Sequence, residues 1–419
     1  MTRRARRLAP NQRRGDPSAR QPMVAGFLVD DPEPHSRVAS RGRRDLTSQL
    51  YSLVTEGSAW RPRGWLPALK RRIKENSHLY RWAQVLVAFR DGFRGLLARR
   101  RGASDHVRSS VSFALKSATV LGRPMNVTIE PTNVCNLECP VCETGAGVLG
   151  RPDGHMTLEQ FRTIMDKIGA HTNTLMFYFM GEPFLNKQSY EMIRYAKQGG
   201  VPYIQTCTNG DAVNPEKLVD SGIDEVSFQI GGTSQETHQI YRVNSNLERV
   251  LRNLKETLRI KRERRPEMKV LSGFILMKHN EHQVDEFGRL MRDLGVDGHE
   301  IIDPCVRTVE QGHKFLPTDE AHWYYDPGAF RQGILRPRVL PDNDCPWLYY
   351  SLTLHVNGNV VPCCRDPRGL EVVGNLLEQS LEEVWNGEKF RAFRERLHRG
   401  QGSIEICRLC SAYGASAIR

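Results

Sequence analysis

Long apolar runs are absent from this 419-residue chain. No stretch of about 18 consecutive apolar residues occurs, so a membrane-spanning helix is not expected. The longest apolar stretch near the start, Met23–Val29, is too short for the apolar core of a secretion signal. It runs into Asp30-Asp31 rather than a small-residue cleavage site. Arginine pairs lie upstream of it (Arg3-Arg4, Arg6-Arg7, Arg13-Arg14), without the apolar segment a twin-arginine signal needs. Internal repeats are also missing. Aromatics make up only 8% of the chain, but 39% hydrophobic residues suffice for one large core or two to three domains. With 26% charged residues, this composition excludes a collagen-like chain, a disulfide-dense mini-protein and a wholly disordered protein.

The ten cysteines carry no secretion signal with them, so a reducing, cytoplasmic setting is expected. There, clustered cysteines are more often metal ligands than disulfides. The net charge of +12 is uneven. Residues 1–123 hold 26 Lys and Arg against 9 Asp and Glu, whereas the remaining residues hold 34 against 39. Residues 1–123 thus read as a basic N-terminal extension, with 1–45 disordered and 46–110 helical. A nucleic-acid partner is not expected. Within the helical part, Leu79, Trp82, Leu86, Phe89, Phe93 and Leu96 recur at three- and four-residue steps. They predict a helix packed on its own protein. A basic amphipathic helix making peripheral membrane contact is the alternative.

From residue 124 strands alternate with helices. Strand-like runs are Asn126–Glu130, Thr174–Phe179, Pro202–Thr206, Glu225–Ile230, Val270–Met277 and Glu300–Ile302. Helical patterns lie near 157–169, 188–199, 235–264 and 281–294. Six such units predict an α/β fold, a partial (β/α)6 TIM-like barrel over 124–310, with its site at the C-terminal strand ends. Residues 311–344 read as a connecting segment. In 345–419, Ser351–Val356 and Asn359–Pro362 flank Asn357-Gly358, a signal for a hairpin with a tight primed turn. A helix over about Ser380–Leu397 follows.

Directly after the first strand comes Cys135-Asn136-Leu137-Glu138-Cys139-Pro140-Val141-Cys142. Three thiols in a C-x3-C-x2-C loop are one short of a structural zinc site but suit an iron–sulfur cube with one iron left open. A zinc or redox site completed by a residue such as His155 is the alternative.

This loop, in this position, resembles the radical S-adenosylmethionine (SAM) superfamily. The resemblance implies that Cys135, Cys139 and Cys142 hold a 4Fe–4S cluster whose open iron is chelated by SAM. Reductive cleavage of SAM then gives a 5′-deoxyadenosyl radical. The family usually has an aromatic residue before the third cysteine, where this chain has Val141. Met180-Gly181-Glu182 is similar to the family's Gly-Gly-Glu segment, which implies that Gly181 and Glu182 meet the SAM ammonium. Ser227 and Gln229 are implied ribose contacts, and Arg242 a partner for the SAM carboxylate. Phe274, Leu276 and Met277 offer walls for adenine. Thr208-Asn209-Gly210 resembles a stretch frequent in these barrels.

Cys345 and Gly358 followed by Cys363, then Cys407-Arg408-Leu409-Cys410, resemble the SPASM/twitch extension of these enzymes. The resemblance implies that Cys345, Cys363, Cys407 and Cys410 hold a second, auxiliary 4Fe–4S cluster, with Cys363 preferred over Cys364. A zinc ribbon is the local alternative. The implied function is an oxidoreductase or lyase that abstracts a hydrogen atom from a small polar metabolite, sugar- or cyclitol-like. Oxidation or dehydration would follow through the auxiliary cluster, and flavodoxin or ferredoxin would donate the external electron. A peptide- or protein-modifying maturase is the alternative, and a non-catalytic iron–sulfur or zinc scaffold the alternative of another class. Cys305 is a candidate hydrogen-atom donor. Glu143, His155, His238 and His279 lie near strand ends, but no spacing selects a catalytic base among them.

Overall fold

The computed structural model describes residues 77–338 and 343–410. The expectations for 1–45, for 46–76 and for 411–419 lie outside the described residues. Two helices come first, α1 (Ser77–Leu97) and α2 (Ala103–Ala114), joined through left-handed Gly102 (φ 77°). Then follow β1 (Asn126–Ile129), α3 (Leu158–Ile168), β2 (Thr174–Met176), α4 (Ser189–Gln198) and β3 (Tyr203–Thr208). Next are α5 (Pro215–Asp220), β4 (Glu225–Ile230), α6 (Gln235–Tyr241), α7 (Leu247–Arg264), β5 (Lys269–Ile275), α8 (Val284–Leu294) and β6 (Gly298–Ile302). Short helices α9 (Val309–Phe315) and α10 (Pro327–Arg331) lie in the connecting segment. The chain continues with α11 (Trp347–Tyr350), β7 (Ser351–Leu354), β8 (Asn359–Val361), β9 (Gly374–Asn375), α12 (Leu381–Trp385) and α13 (Glu388–Gly400).

Strands β1–β6 pair in parallel and in sequence order, as the alternating pattern predicts. Their residues divide by parity. Val127, Ile204, Val226, Phe228 and Phe274 are fully buried in the main core with the helices. Polar Gln205, Ser227 and Gln229 occupy the alternate positions. Helix α3 shows why the helices dock. Phe161, Ile164, Met165 and Ile168 are buried at helical spacing, each worth about 1.5–3 kcal/mol. Thr157 and Gln160 close a capping box at its start.

The sheet does not stop at the barrel. β7 pairs in parallel with β1, Thr128 opposite Thr353, so the C-terminal hairpin extends the same sheet to nine strands. Its turn differs from the expected primed type. Gly358 alone has positive φ (81°), and its N–H donates to the His355 carbonyl at 2.9 Å. The His355 N–H donates to the Asn359 carbonyl at 2.9 Å, which makes a three-residue loop closed by a glycine bulge. Asn357 therefore needs no left-handed conformation.

The single helix expected over 235–264 is two. Asn244 turns left-handed (φ 72°) and the Asn246 side chain caps α7 by accepting from the Arg249 N–H. The helix expected over Ser380–Leu397 is likewise split at Asn386-Gly387. The Asn386 side chain is bonded in both directions to Val120. Helix α5, not anticipated, carries its own signal, the Asn214 cap followed by Pro215.

Helix α1 packs on the face opposite to the expected one. Ala83, Val85 and Ala88 are buried, whereas Trp82, Leu86 and Phe93 are 53%, 63% and 54% exposed. The reason is the close approach of α2. A Cβ on Gly92 would lie 2.7 Å from Val107 Cγ2, so only small side chains fit between the helices. The large ones face outward.

Several imidazoles are held neutral by burial. His106 bonds the Ala88 carbonyl at 2.9 Å, His238 the Ser245 hydroxyl at 2.9 Å and His355 the Asp366 carbonyl at 3.0 Å. Burial pushes them down to about 4, about 4 and about 3. The unfolded chain gains protons below about pH 6.5 that the fold refuses, so stability falls as pH drops from there toward 4. Each site contributes on the order of 1–3 kcal/mol to that loss. Thermal unfolding of the metal-free chain across this window should show Tm falling with pH, and His106→Gln should flatten the slope.

Candidate functional site

The C-terminal ends of β1–β3 converge on the Cys135–Cys142 loop. Its entry is fixed by Asn133, fully buried, whose side-chain oxygen accepts the Gly154 N–H at 2.8 Å while its amide donates to the Pro152 carbonyl at 2.8 Å. Gly181 sits beneath the loop with φ 76°. A Cβ there would come within 2.6 Å of the Thr132 carbonyl oxygen and 2.7 Å of the Val134 one. Gly181 is thus required by the loop's own backbone, and the Glu182 N–H donates to Val134 at 2.8 Å. Asn209 reaches across from the end of β3 and donates to the Asn136 side-chain oxygen at 2.9 Å.

The three thiols share one desolvated space. Cys135 is pushed up to about 12, chiefly by burial and further by Glu182, Cys139 and Cys142. Burial also raises Cys139, while Arg242 beside it works in the opposite direction. Three thiols on one loop are the donor chemistry an iron–sulfur group uses, and a cationic centre there would hold them as thiolates. The residues present therefore fit an iron–sulfur group.

Glu182 is fully buried and rises to about 7 for that reason. Its carboxylate accepts from Asn209 N–H at 2.7 Å, the Thr208 hydroxyl at 2.8 Å and Phe184 N–H at 3.3 Å. It braces β2 to β3 and leaves about one lone-pair site for a ligand ammonium. Arg242 bonds the Cys139 sulfur, and its buried Nε has no partner among the described residues. Ser227 and Gln229 face the same side, as their spacing predicts, with the Gln229 amide 3.0 Å from the Ser227 hydroxyl. Gln229 lies over Gly273, where a Cβ would meet its amide at 2.6 Å. Phe274, read from the sequence as an adenine wall, is fully buried in the main core against Phe287 instead. Strand parity turns it toward the helices. Leu276 joins the same core, while Met277 packs in a smaller cluster with Val141 and Cys139.

The second cysteine group also converges. Burial raises Cys345, with Cys410 and Cys407 adding to it. Burial raises Cys363 likewise, with Cys364, Cys407 and Cys345 contributing. Burial and Cys410 bring Cys407 to about 12. Cys363 packs with Cys407 in the main core, whereas Cys364 shares a separate apolar cluster with Cys410, Phe179 and Met180. Cys142 and Trp347 pack against that cluster, so it bridges the two cysteine groups. Cys305 is 8% exposed and bonds Arg365, with Cys410 among its neighbours.

Sequence reasoning missed three features. Glu130, buried with no exposure, accepts Arg151 through both oxygens at 2.7 and 2.8 Å, Val356 N–H at 2.8 Å and Met180 N–H at 3.3 Å. Glu143 is paired with Arg307 in the interior, which ties the cysteine loop to the segment after β6 and removes Glu143 from the free bases. Asp303, just past β6, lies 2.8 Å from His322 Nδ1. Burial lifts Asp303 to about 6, with His322 offsetting part of the rise. Each is a long-range pairing of common residue types, with no local spacing to reveal it. Of the other candidate bases, His238 is locked by Gly231 and Ser245, and His155 is exposed.

Comparison with known proteins points the same way. A family model described as the radical SAM superfamily matches residues 129–291, and one described as a SPASM iron–sulfur cluster-binding domain matches 345–411. An AdoMet-dependent heme synthase of Methanosarcina barkeri is 25% identical over 339 residues, covering 70% of this chain and 92% of its own. A PqqA peptide cyclase of Bradyrhizobium diazoefficiens is 22% identical, covering 70% and 80%. The crystal structure of Streptococcus suis SuiB bound to precursor peptide SuiA superposes with a TM-score of 0.51 at 12% identity, covering 75% and 80%, and shares the fold.

Two measurements test this geometry. Cys363→Ser should remove about four of about eight irons from the anaerobically reconstituted protein, while Cys364→Ser keeps them; the reverse result would exchange their roles. Glu130→Ala strands the Arg151 guanidinium and should cost about 3–5 kcal/mol in denaturant unfolding.

Proposed function

Because the chain carries a radical SAM domain followed by a SPASM domain, with the SAM-binding 4Fe–4S cluster, auxiliary cluster and SAM that these imply, we propose that it removes a hydrogen atom from a small, polar, sugar- or cyclitol-like metabolite and oxidises or dehydrates it. Cys135, Cys139 and Cys142 would hold the SAM-binding cluster, and Cys345, Cys363, Cys407 and Cys410 the auxiliary one. When bound, these groups supply a carbon-centred radical and a sink for one electron.

The observation that carries the substrate class is the polarity of the barrel interior. Gln205, Glu225, Ser227 and Gln229 line alternate positions of β3 and β4, all nearly buried. Tyr203 donates to Glu225 at 2.5 Å, and Tyr178 bonds Gln205. These groups are paired within the protein; a ligand with many hydroxyls can exchange into such a network, as the SAM ribose would at Ser227 and Gln229, whereas an apolar ligand cannot.

The chain's own task after hydrogen-atom removal is to take a proton from the substrate hydroxyl. Asp303, buried and lifted to about 6, accepts it, and His322 orients the carboxylate. The cluster of Phe179, Met180 and Leu149 between the cysteine groups keeps water from the space separating them. The similarity to a PqqA peptide cyclase over 70% of this chain supports the second reading, a peptide substrate.

Reconstituted protein with dithionite and SAM should form 5′-deoxyadenosine, and Cys139→Ala should abolish it. Absence of 5′-deoxyadenosine from the iron-replete protein would sink the proposal. With substrate present, Asp303→Asn should lower product formation about a hundredfold or more while 5′-deoxyadenosine still forms. Deuterium passing into 5′-deoxyadenosine from a labelled peptide and not from labelled polyols would favour the second reading.

A further inference from the structure

Helix α1 leaves a continuous apolar stripe without a partner among the described residues. Trp82, Leu86, Phe93, Leu96 and Leu97 are 53%, 63%, 54%, 42% and 87% exposed, and Phe89 is half-buried among them. Their steps of four, three, four and three residues place them along one face over about 20 Å. A patch of this kind on a folded surface marks an interaction site.

The charge around it selects the occupant. Between residues 77 and 123 the chain has two carboxylates, Asp91 and Asp105, and neither is exposed. Asp91 is paired with Arg90 at 2.8 Å, and Asp105 accepts the Arg123 N–H at 3.1 Å. Arg94, Arg99, Arg100 and Arg108 are exposed. Residues 1–76, which precede α1 in the sequence, hold 17 Lys and Arg against 7 Asp and Glu, so their composition offers this face no complementary charge. A second copy would bring the same sign of charge against it. An anionic bilayer offers both an apolar layer for the stripe and opposite charge for its flanks. Trp and Phe beside arginines are the side chains that settle at such a boundary.

The position is compatible with turnover. Helix α2 and the turn before it contact the N-terminal ends of the strands: the Asn173 amide donates to the Arg101 carbonyl at 3.0 Å, and Met125 lies 3.2 Å from His106. The cysteine loop follows the opposite, C-terminal end of β1. Helix α1 packs on α2, with the Ala88 carbonyl 2.9 Å from His106 and Gly92 against Val107.

We infer that the outer face of α1 is a docking surface for an anionic lipid bilayer, which holds the protein at the membrane with the barrel mouth turned away from it. The test is flotation of the full-length, reconstituted protein with phosphatidylcholine vesicles, with and without about 30 mol % phosphatidylglycerol. The protein should float with the anionic vesicles and not with pure phosphatidylcholine, and release as salt is raised. Leu86→Glu with Phe93→Glu should weaken binding about tenfold or more, and Arg94→Glu with Arg99→Glu should also weaken it. These are surface positions, and unchanged iron content and Tm will confirm folding. Three results would overturn the inference. The parent could fail to float with anionic vesicles. The apolar variant could float as well as the parent, which would assign binding to the basic segment alone. Sedimentation could show a dimer that the apolar variant dissociates, which would assign the face to a second copy.

Discussion

One buried carboxylate holds the two halves of this protein in register. Glu130 ends β1, and its two oxygens receive a bidentate arginine from beyond the cysteine loop, an N–H from the end of β2 and an N–H from the C-terminal hairpin. With no exposure, it has these donors in place of water. The cysteine loop, the Met180-Gly181-Glu182 segment and the hairpin that leads to Cys363 are thereby fixed around a single point. The pairing of β7 with β1 follows from the same contact, because Val356 can reach Glu130 only if the hairpin lies beside the first strand. Both cysteine groups are carried by segments that adjoin one sheet, and the apolar cluster between them connects one to the other.

Both groups obey one electrostatic rule. Burial makes these thiols costly to ionise, and neighbouring sulfurs raise Cys135 and Cys363 further. On their own, these thiols stay protonated; a cationic centre would reverse the shift and hold them as thiolates. Around it the carboxylates are already engaged: Glu182 braces two strands and Glu143 pairs with Arg307. Asp303 faces an imidazole instead, and burial lifts it to about 6 although His322 offsets part of the rise.

The barrel was largely legible from the chain. Parallel strands buried on both faces show as short apolar runs, and helices such as α3 declare their buried side at three- and four-residue steps. Breaks within long periodic segments were less legible. Asn244 and Asn386 interrupt helices whose apolar spacing continues past them, because a capping side chain competes locally with a pattern that only averages over turns. The face of α1 was misread for a different reason. Periodicity identifies the larger apolar stripe, but the close approach of α2 at Gly92 leaves mostly small side chains, Ala83, Val85 and Ala88 among them, on the packed side.

The sequence by itself determined the cysteine spacing, the strand and helix alternation and the clustering of positive charge before the barrel, because each is a local or compositional property. Tertiary structure alone decided that the hairpin continues the barrel sheet, that Gly181 serves the backbone of the cysteine loop, and that Phe274 packs outward. It alone brought Asp303 to His322, and Glu130 to Arg151 and Val356. Those outcomes depend on which side chains meet across distances of tens to hundreds of residues. Burial and unsatisfied hydrogen bonds select among such meetings only once the core has closed.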